Sequence, residues 1–257
     1  MAILNTADPA TKVALSRRLA ARWRAGGMAI GEALPPLRLA RPRFPVLLAP
    51  RDMPKRRHGG SRSGRIALLH ALAHIELNAI DLAWDLVARF GTADLPPAFF
   101  ADWLGVAAEE AEHFALLAAR LEALGAAYGD LPAHDGLWEA AAATAHDIIA
   151  RLAIVPLVLE ARGLDVTPEM IGRLERVGDP ESAAILARIY EDEIGHVAVG
   201  VRWFEELCRA RGLDPEATFH DQVRRCFTGS LKPPFNDEAR RRAGFPAGYY
   251  RKLACAP

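Results

Sequence analysis

The chain has 257 residues, 51% of them hydrophobic, and its 32 Lys plus Arg balance its 32 Asp plus Glu. That apolar fraction excludes wholesale disorder, and at ~150 residues per domain the length allows one large domain or two small ones. Zero net charge gives no global pull toward nucleic acid or anionic lipid, so neither is expected as a partner.

The N-terminal stretch MAILNTADPATKVALSRR lacks the charged-then-apolar layout of a secretory leader. No run of about 18 uncharged apolar residues marks a membrane span. A cytoplasmic location is therefore expected. The cysteines, Cys208, Cys226 and Cys255, are odd in number and have no C-x-x-C spacing. That argues against a disulfide framework and a zinc knuckle.

Residues 9 to 26 read as a short helix. From Gly31 to Gly64 the chain is rich in Pro, Gly and Arg, centred on RPRFPVLLAPRDMPKRRHGGSRSGR, and cannot hold a long helix. From about Ser63 to Arg211 it turns Ala- and Leu-rich, with breaks near Gly91–Pro97, Gly125–Pro132 and Gly163–Pro180. Alanine and leucine are strong helix formers. Four helical blocks are expected, over 63–90, 97–125, 134–162 and 180–211. No segment shows sustained β-branched alternation, so no sheet is expected. The fold class is all-α, a four-helix bundle over 63–211. An N-terminal extension, 1–62, is expected to pack on the bundle, and a C-terminal tail, 212–257, to cover it. In that tail DPEATFHDQVRRCF reads as a short helix, and LKPPFNDEARRRAGFPAGYY as loop.

Two of the helical blocks carry a Glu-x-x-His motif. Block two contains Glu110 and His113 in AAEEAEHFALL; block four contains Glu193 and His196 in IYEDEIGHVAVG. A three-residue step turns a helix by about 300°, so each Glu and its His share a face. Blocks one and three each set one Glu in an apolar stretch: Glu76 in HALAHIELNAIDLAW and Glu160 in AIVPLVLEARGL. Glu76 and Glu110 are 34 residues apart, Glu160 and Glu193 are 33. The chain thus holds two copies of a helix pair, each with Glu and then Glu-x-x-His. This is the ligand pattern of di-iron and di-manganese carboxylate bundles. Oxygen and nitrogen donors suit such cations. Four carboxylates nearly balance two divalent charges, and could not all stay ionised in an apolar core without them. The expected metal ligands are Glu76, Glu110, His113, Glu160, Glu193 and His196, holding two Fe ions, with Mn possible. Asp192 and Glu109 stand where a carboxylate could orient a ligating imidazole.

The segments GRIALLHALAHIELNAIDLAWD, EEAEHF, LVLEARGLDVTPEM, YEDEIGHV and PPFNDEARRRAGF resemble the ferritin-like domain-of-unknown-function family 455 over most of the chain. The resemblance implies a ferritin-like bundle with a di-iron centre at the same six residues, and it implies no reaction. More distantly the chain is similar to bacterial di-iron hydroxylases acting on a modified tRNA base or in ubiquinone synthesis.

Other candidates read as structural. His70, His74 and Asp81 form a stripe turned about 200° from Glu76, expected to meet the extension or the tail. His146 reads as a core or bundle-end residue, and Pro156, one turn before Glu160, as a kink. Tyr190, Trp84 and Trp203 read as core. The basic stretches Lys55–His58 and Arg240–Arg242 read as solvated loops paired with surface acids.

The functional expectation is an O2-dependent oxidoreductase that hydroxylates or desaturates a small-molecule substrate. An external electron donor is needed, because no flavin or nicotinamide fingerprint occurs. Iron handling as a ferroxidase, or a non-catalytic metal-stabilised bundle, are the alternatives. The added segments at both ends favour a monomer or dimer over a cage.

Overall fold

The computed structural model describes residues 2–31, 33, 35–36, 38–54 and 60–254. The described residues are helical, without strands; Leu47–Ala133 and Leu231–Ala254 form isolated bridges. The chain divides into two compact units, Met1–Trp138 and Glu139–Pro257.

The first unit is built on three helices: α1 (Pro9–Arg24), α2 (Arg62–Phe90) and α3 (Pro97–Ala123). Between α1 and α2 lies only a 3-10 turn, Pro50–Asp52. Asp8 caps α1, and Pro9 occupies its first turn, where a missing N–H costs nothing. Ser61 caps α2 by accepting from the Gly64 N–H at 3.1 Å. α2 and α1 both pack on α3. Leu69, Ala73, Leu77 and Ile80 of α2 are buried, as are Phe99, Trp103, Ala107 and Leu117 of α3. Burying one such large side chain contributes roughly 1.5–3 kcal/mol. By length and composition α2 could cross a membrane. Most of its apolar surface is buried inside the protein, together with His70, His74, Glu76, Asp81 and Asp85.

The His70–His74–Asp81 stripe is covered from two sides. Asp81 pairs with Lys12 of α1, both fully buried. The histidines meet the loop after α3, and Arg41 of the extension lies close enough to act on the charge of His74. Tyr128 Oη lies 2.8 Å from His74 Nδ1, and the Gly129 N–H donates to His70 Nε2 at 2.9 Å. Burial holds both imidazoles below their usual pKa, His74 at about 4. This is consistent with a neutral His70 accepting backbone donors.

α4 (Gly136–Ala143) carries the chain from one unit to the next. The second unit continues with α5 (Ile148–Ile154), a π-helical segment Val155–Glu160, α6 (Ala161–Arg176), α7 (Pro180–Ala210) and α8 (Pro215–Cys226). Asp179-Pro180 and Asp214-Pro215 start α7 and α8 as Asp8-Pro9 starts α1.

The third block departs from expectation. One helix was expected over 134–162, ending near Gly163. Instead the chain breaks at Thr144–Asp147. There Thr144 Oγ1 donates to the Ala140 carbonyl at 2.9 Å, Arg151 Nη2 donates to the Ala141 carbonyl at 2.6 Å, and Asp147 caps α5. His146 sits exposed in this turn, not in a core. The chain then stays helical through Gly163 and past Pro168. Proline lacks the N–H that would serve the Leu164 carbonyl. Asn236 Nδ2 from the tail supplies that donor at 3.1 Å.

The tail also departs from expectation. Two short helices form in it, α9 (Asp237–Arg242) and α10 (Ala247–Arg251). Asn236 caps α9, and its Nδ2 also donates to Tyr190 Oη at 2.9 Å, which places Tyr190 against the tail. Phe219 of α8 meets Phe245 edge-on and Tyr249 at a tilt, at centroid distances of 5.7 and 5.3 Å. Arg240 is no solvated loop residue. It is buried in a two-pronged pair with Asp165 at 2.9 and 2.7 Å, and it stacks over Tyr250. Arg241 and Arg242 do pair at the surface, with Glu238 and Glu191. Lys55, Arg56, Arg57 and His58 lie outside the described residues, as does Cys255. Trp84 and Trp203 are buried, as expected.

Candidate metal centre

In the first unit α2 and α3 bring three of the six expected ligands together. Glu76, Glu110 and His113 are 4%, 1% and 0% exposed. One donor atom of each lies within 4.8 Å of the others. His113 Nδ1 is 3.2 Å from Glu76 Oε2 and 3.5 Å from Glu110 Oε2. Glu110 and His113 share a face because they are one helical turn apart. Glu76 reaches them because α2 packs directly along α3.

Such a cluster is electrostatically loaded. Burial, and then the charge of Glu110, pushes the Glu76 carboxyl well above the usual range; the hydrogen bond to His113 pulls partly the other way. Burial also works against a charge on His113. The hydrogen bonds and charges of Glu110 and Glu76 outweigh it and raise the imidazole to about 11. A proton on His113 thus plays the part a cation would play. Two carboxylates and an imidazole nitrogen, buried and convergent, are a donor set that fits a hard or borderline divalent ion.

The second unit carries the other three. Glu193 and His196 share one face of α7, with His196 Nδ1 3.5 Å from Glu193 Oε1. His196 is buried, and the Glu193 side chain is 14% exposed. Glu160 is half-buried and closes the π-helical segment. Its second residue is Pro156, whose missing N–H removes the bond to the Leu152 carbonyl. The Ala161 N–H then bonds back to the Pro156 carbonyl, five residues earlier. Such π-turns inside α-helices recur at functional sites, because the extra residue re-aims the side chains around it. Gly200 of α7 faces this segment: a Cβ there would lie 2.6 Å from Pro156 Cβ. The absence of a side chain lets α7 close on the segment that carries Glu160.

Glu109 is exposed, and Asp192 is about one-third exposed, 3.9 Å from Arg188. Sequence reading did not single out Tyr128, whose ring meets Phe114, the residue after His113, at 5.2 Å. It lies in a loop, outside the helical periodicity.

Comparison with known proteins gives a family without a stated activity. A protein of Haemophilus influenzae described as "Uncharacterized protein" is 46% identical over 209 residues, covering 79% of this chain and 72% of its own. No solved structure matches. A family model described as "Protein of unknown function (DUF455)" matches residues 5–251, and the chain belongs to that family.

Proposed function

We propose that the protein is a di-metal carboxylate oxidoreductase acting on a small molecule with an external electron donor. The observation that carries this reading is the buried convergence of Glu76, Glu110 and His113. The sequence repeat supplies the matching set Glu160, Glu193 and His196. On this reading the two helix pairs are the repeat of a ferritin-like four-helix bundle, each pair giving half of the ligands. Two iron ions so held, or manganese, would supply O2 activation for hydroxylation or desaturation. The protein's own part is to exclude water around Glu76, Glu110 and His113, and to keep two carboxylates together that would repel one another in the cation's absence. Glu160 or Glu193, both half-buried, would be the ligand that shifts to open a site for O2.

Elemental analysis tests this. Protein reconstituted anaerobically with Fe(II) and Mn(II), then desalted, is expected to hold about two metal ions per chain, and Glu110→Ala to lose them while staying folded. Metal content equal to that of the variant overturns the reading. O2 consumption by the iron-loaded protein with a chemical reductant then separates a redox centre from a structural one.

A further inference from the structure

The second unit contains a cavity of about 500 Å³ that the metal-centre reading leaves unused. That volume lies in the range of small-molecule sites. Val158 and Leu159 of the π-helical segment line it on one side, and Phe227, Leu231 and Phe235 line it from the chain after α8. This apolar lining is accompanied by charge. Arg162, Lys232 and Arg240 contribute three cations and Asp165 one carboxylate, leaving two positive charges in excess.

The charges are not equivalent. Asp165 is fully buried and neutralised by Arg240, itself 4% exposed and stacked among aromatic rings. That pair is structural. Arg162 turns Nη1 to Asp165 at 3.3 Å and to the Lys232 carbonyl at 2.8 Å, which holds the guanidinium at the cavity wall while 40% of the side chain stays exposed. Lys232 is exposed and makes no ion pair among the described residues. An apolar wall beside two cations in excess is complementary to one class of molecule.

We propose that this cavity binds a small amphipathic oxyanion. Its apolar body lies against Leu159, Phe227 and Phe235, and its carboxylate or phosphate head meets Arg162 and Lys232. Arginine and lysine both make charge-assisted bonds to such heads. All the residues lie in the second unit, so the inference stands apart from the metal-centre reading and is testable on metal-free protein.

Isothermal titration at low salt with four probes tests it: 4-phenylbutyrate, phenyl phosphate, 4-phenylbutanol and 4-phenylbutylamine. The two anions are expected to bind, the alcohol about tenfold more weakly, and the amine not measurably. The ratio of the two anions tells a carboxylate site from a phosphate site. Lys232→Glu should weaken the anions about tenfold and leave the alcohol unchanged. Leu159→Trp, which narrows the cavity on its apolar side, should weaken binding of all probes. Glu110→Ala should leave binding intact, even if it removes metal. Absence of anion binding overturns the proposal, as does equal binding of anion and amine, or anion affinity unchanged by both Lys232→Glu and Leu159→Trp. Should Lys232→Glu unfold, competition of 4-phenylbutyrate by inorganic phosphate on the unaltered protein decides. Full displacement without any apolar body shows a bare anion contact and overturns it; retention supports it.

Discussion

Lys12 and Asp81 form a buried ion pair whose cost and worth differ in sign by partner. Asp81 Oδ2 has no hydrogen-bond partner among the described residues, and burial, opposed by Lys12, raises its carboxyl to about 6 from 3.8. An acid with a raised folded pKa holds its proton more tightly folded than unfolded. Its contribution is therefore full below pH 3.8 and is lost as pH rises to about 6. The stability of the wild type relative to Asp81→Asn should fall over that interval by on the order of 2 kcal/mol, read by urea denaturation at pH 4 and 6.5. Lys12→Met, which strands the acid, should cost about 3–5 kcal/mol near neutral pH, and the double variant Lys12→Met/Asp81→Leu should recover most of it. Asn236 has a comparable reach. It caps α9, serves the orphaned Leu164 carbonyl and bonds Tyr190. Asn236→Ala should destabilise the protein by about 2 kcal/mol, whereas Asn236→Asp, which keeps the cap and loses the donor, should cost less; thermal unfolding checks both. The Asn236 cap is local, but Asp81, Leu164 and Tyr190 are far in sequence from the groups they meet, so no local pattern announces those pairings.

Among the elements, prolines divide most clearly between legible and illegible. Asp-Pro at 8–9, 179–180 and 214–215 opens a helix each time, with the aspartate as cap. This is a local rule and can be read without a fold. Pro156 and Pro168 are interior. The first yields a π-turn, and the second is absorbed because Asn236 replaces its missing donor. The expectation that block three ends near Gly163 fails for that reason. The expected kink at Pro156 takes the form of a π-turn seated on Gly200. Gly200→Ala tests this seat. Alanine is the better helix former by about 1 kcal/mol, yet its Cβ would meet the Pro156 ring. Overpacking of this kind costs about 1–3 kcal/mol. A net loss of about 1 kcal/mol is expected in chemical denaturation, and a net gain would show that α7 does not need the close approach.

For the whole molecule, 32 cationic and 32 anionic residues set the sequence pI near 7.1. Solubility should be lowest near pH 7 and rise on either side, since net charge near zero promotes association; precipitation by polyethylene glycol across pH 5–9 measures it. The helical class, the long helices α2, α3 and α7, and the spacing of the Glu and Glu-x-x-His sets are all sequence properties. They follow from period and propensity, which act over a few residues. From them alone Glu76, Glu110 and His113 could be named together. Tertiary structure decided that these three are buried and converge within the first unit, because packing of α2 on α3 sets that distance. It also turned Arg240 from a surface charge into a buried one, made two short helices of the tail segment LKPPFNDEARRRAGFPAGYY that reads as loop, and formed the cavity beside Arg162 and Lys232. Sequence fixes what each residue prefers within a turn or two. Burial and pairing depend on segments that meet only after about 70 residues of chain have folded between them, as Lys12 meets Asp81 and Asp165 meets Arg240.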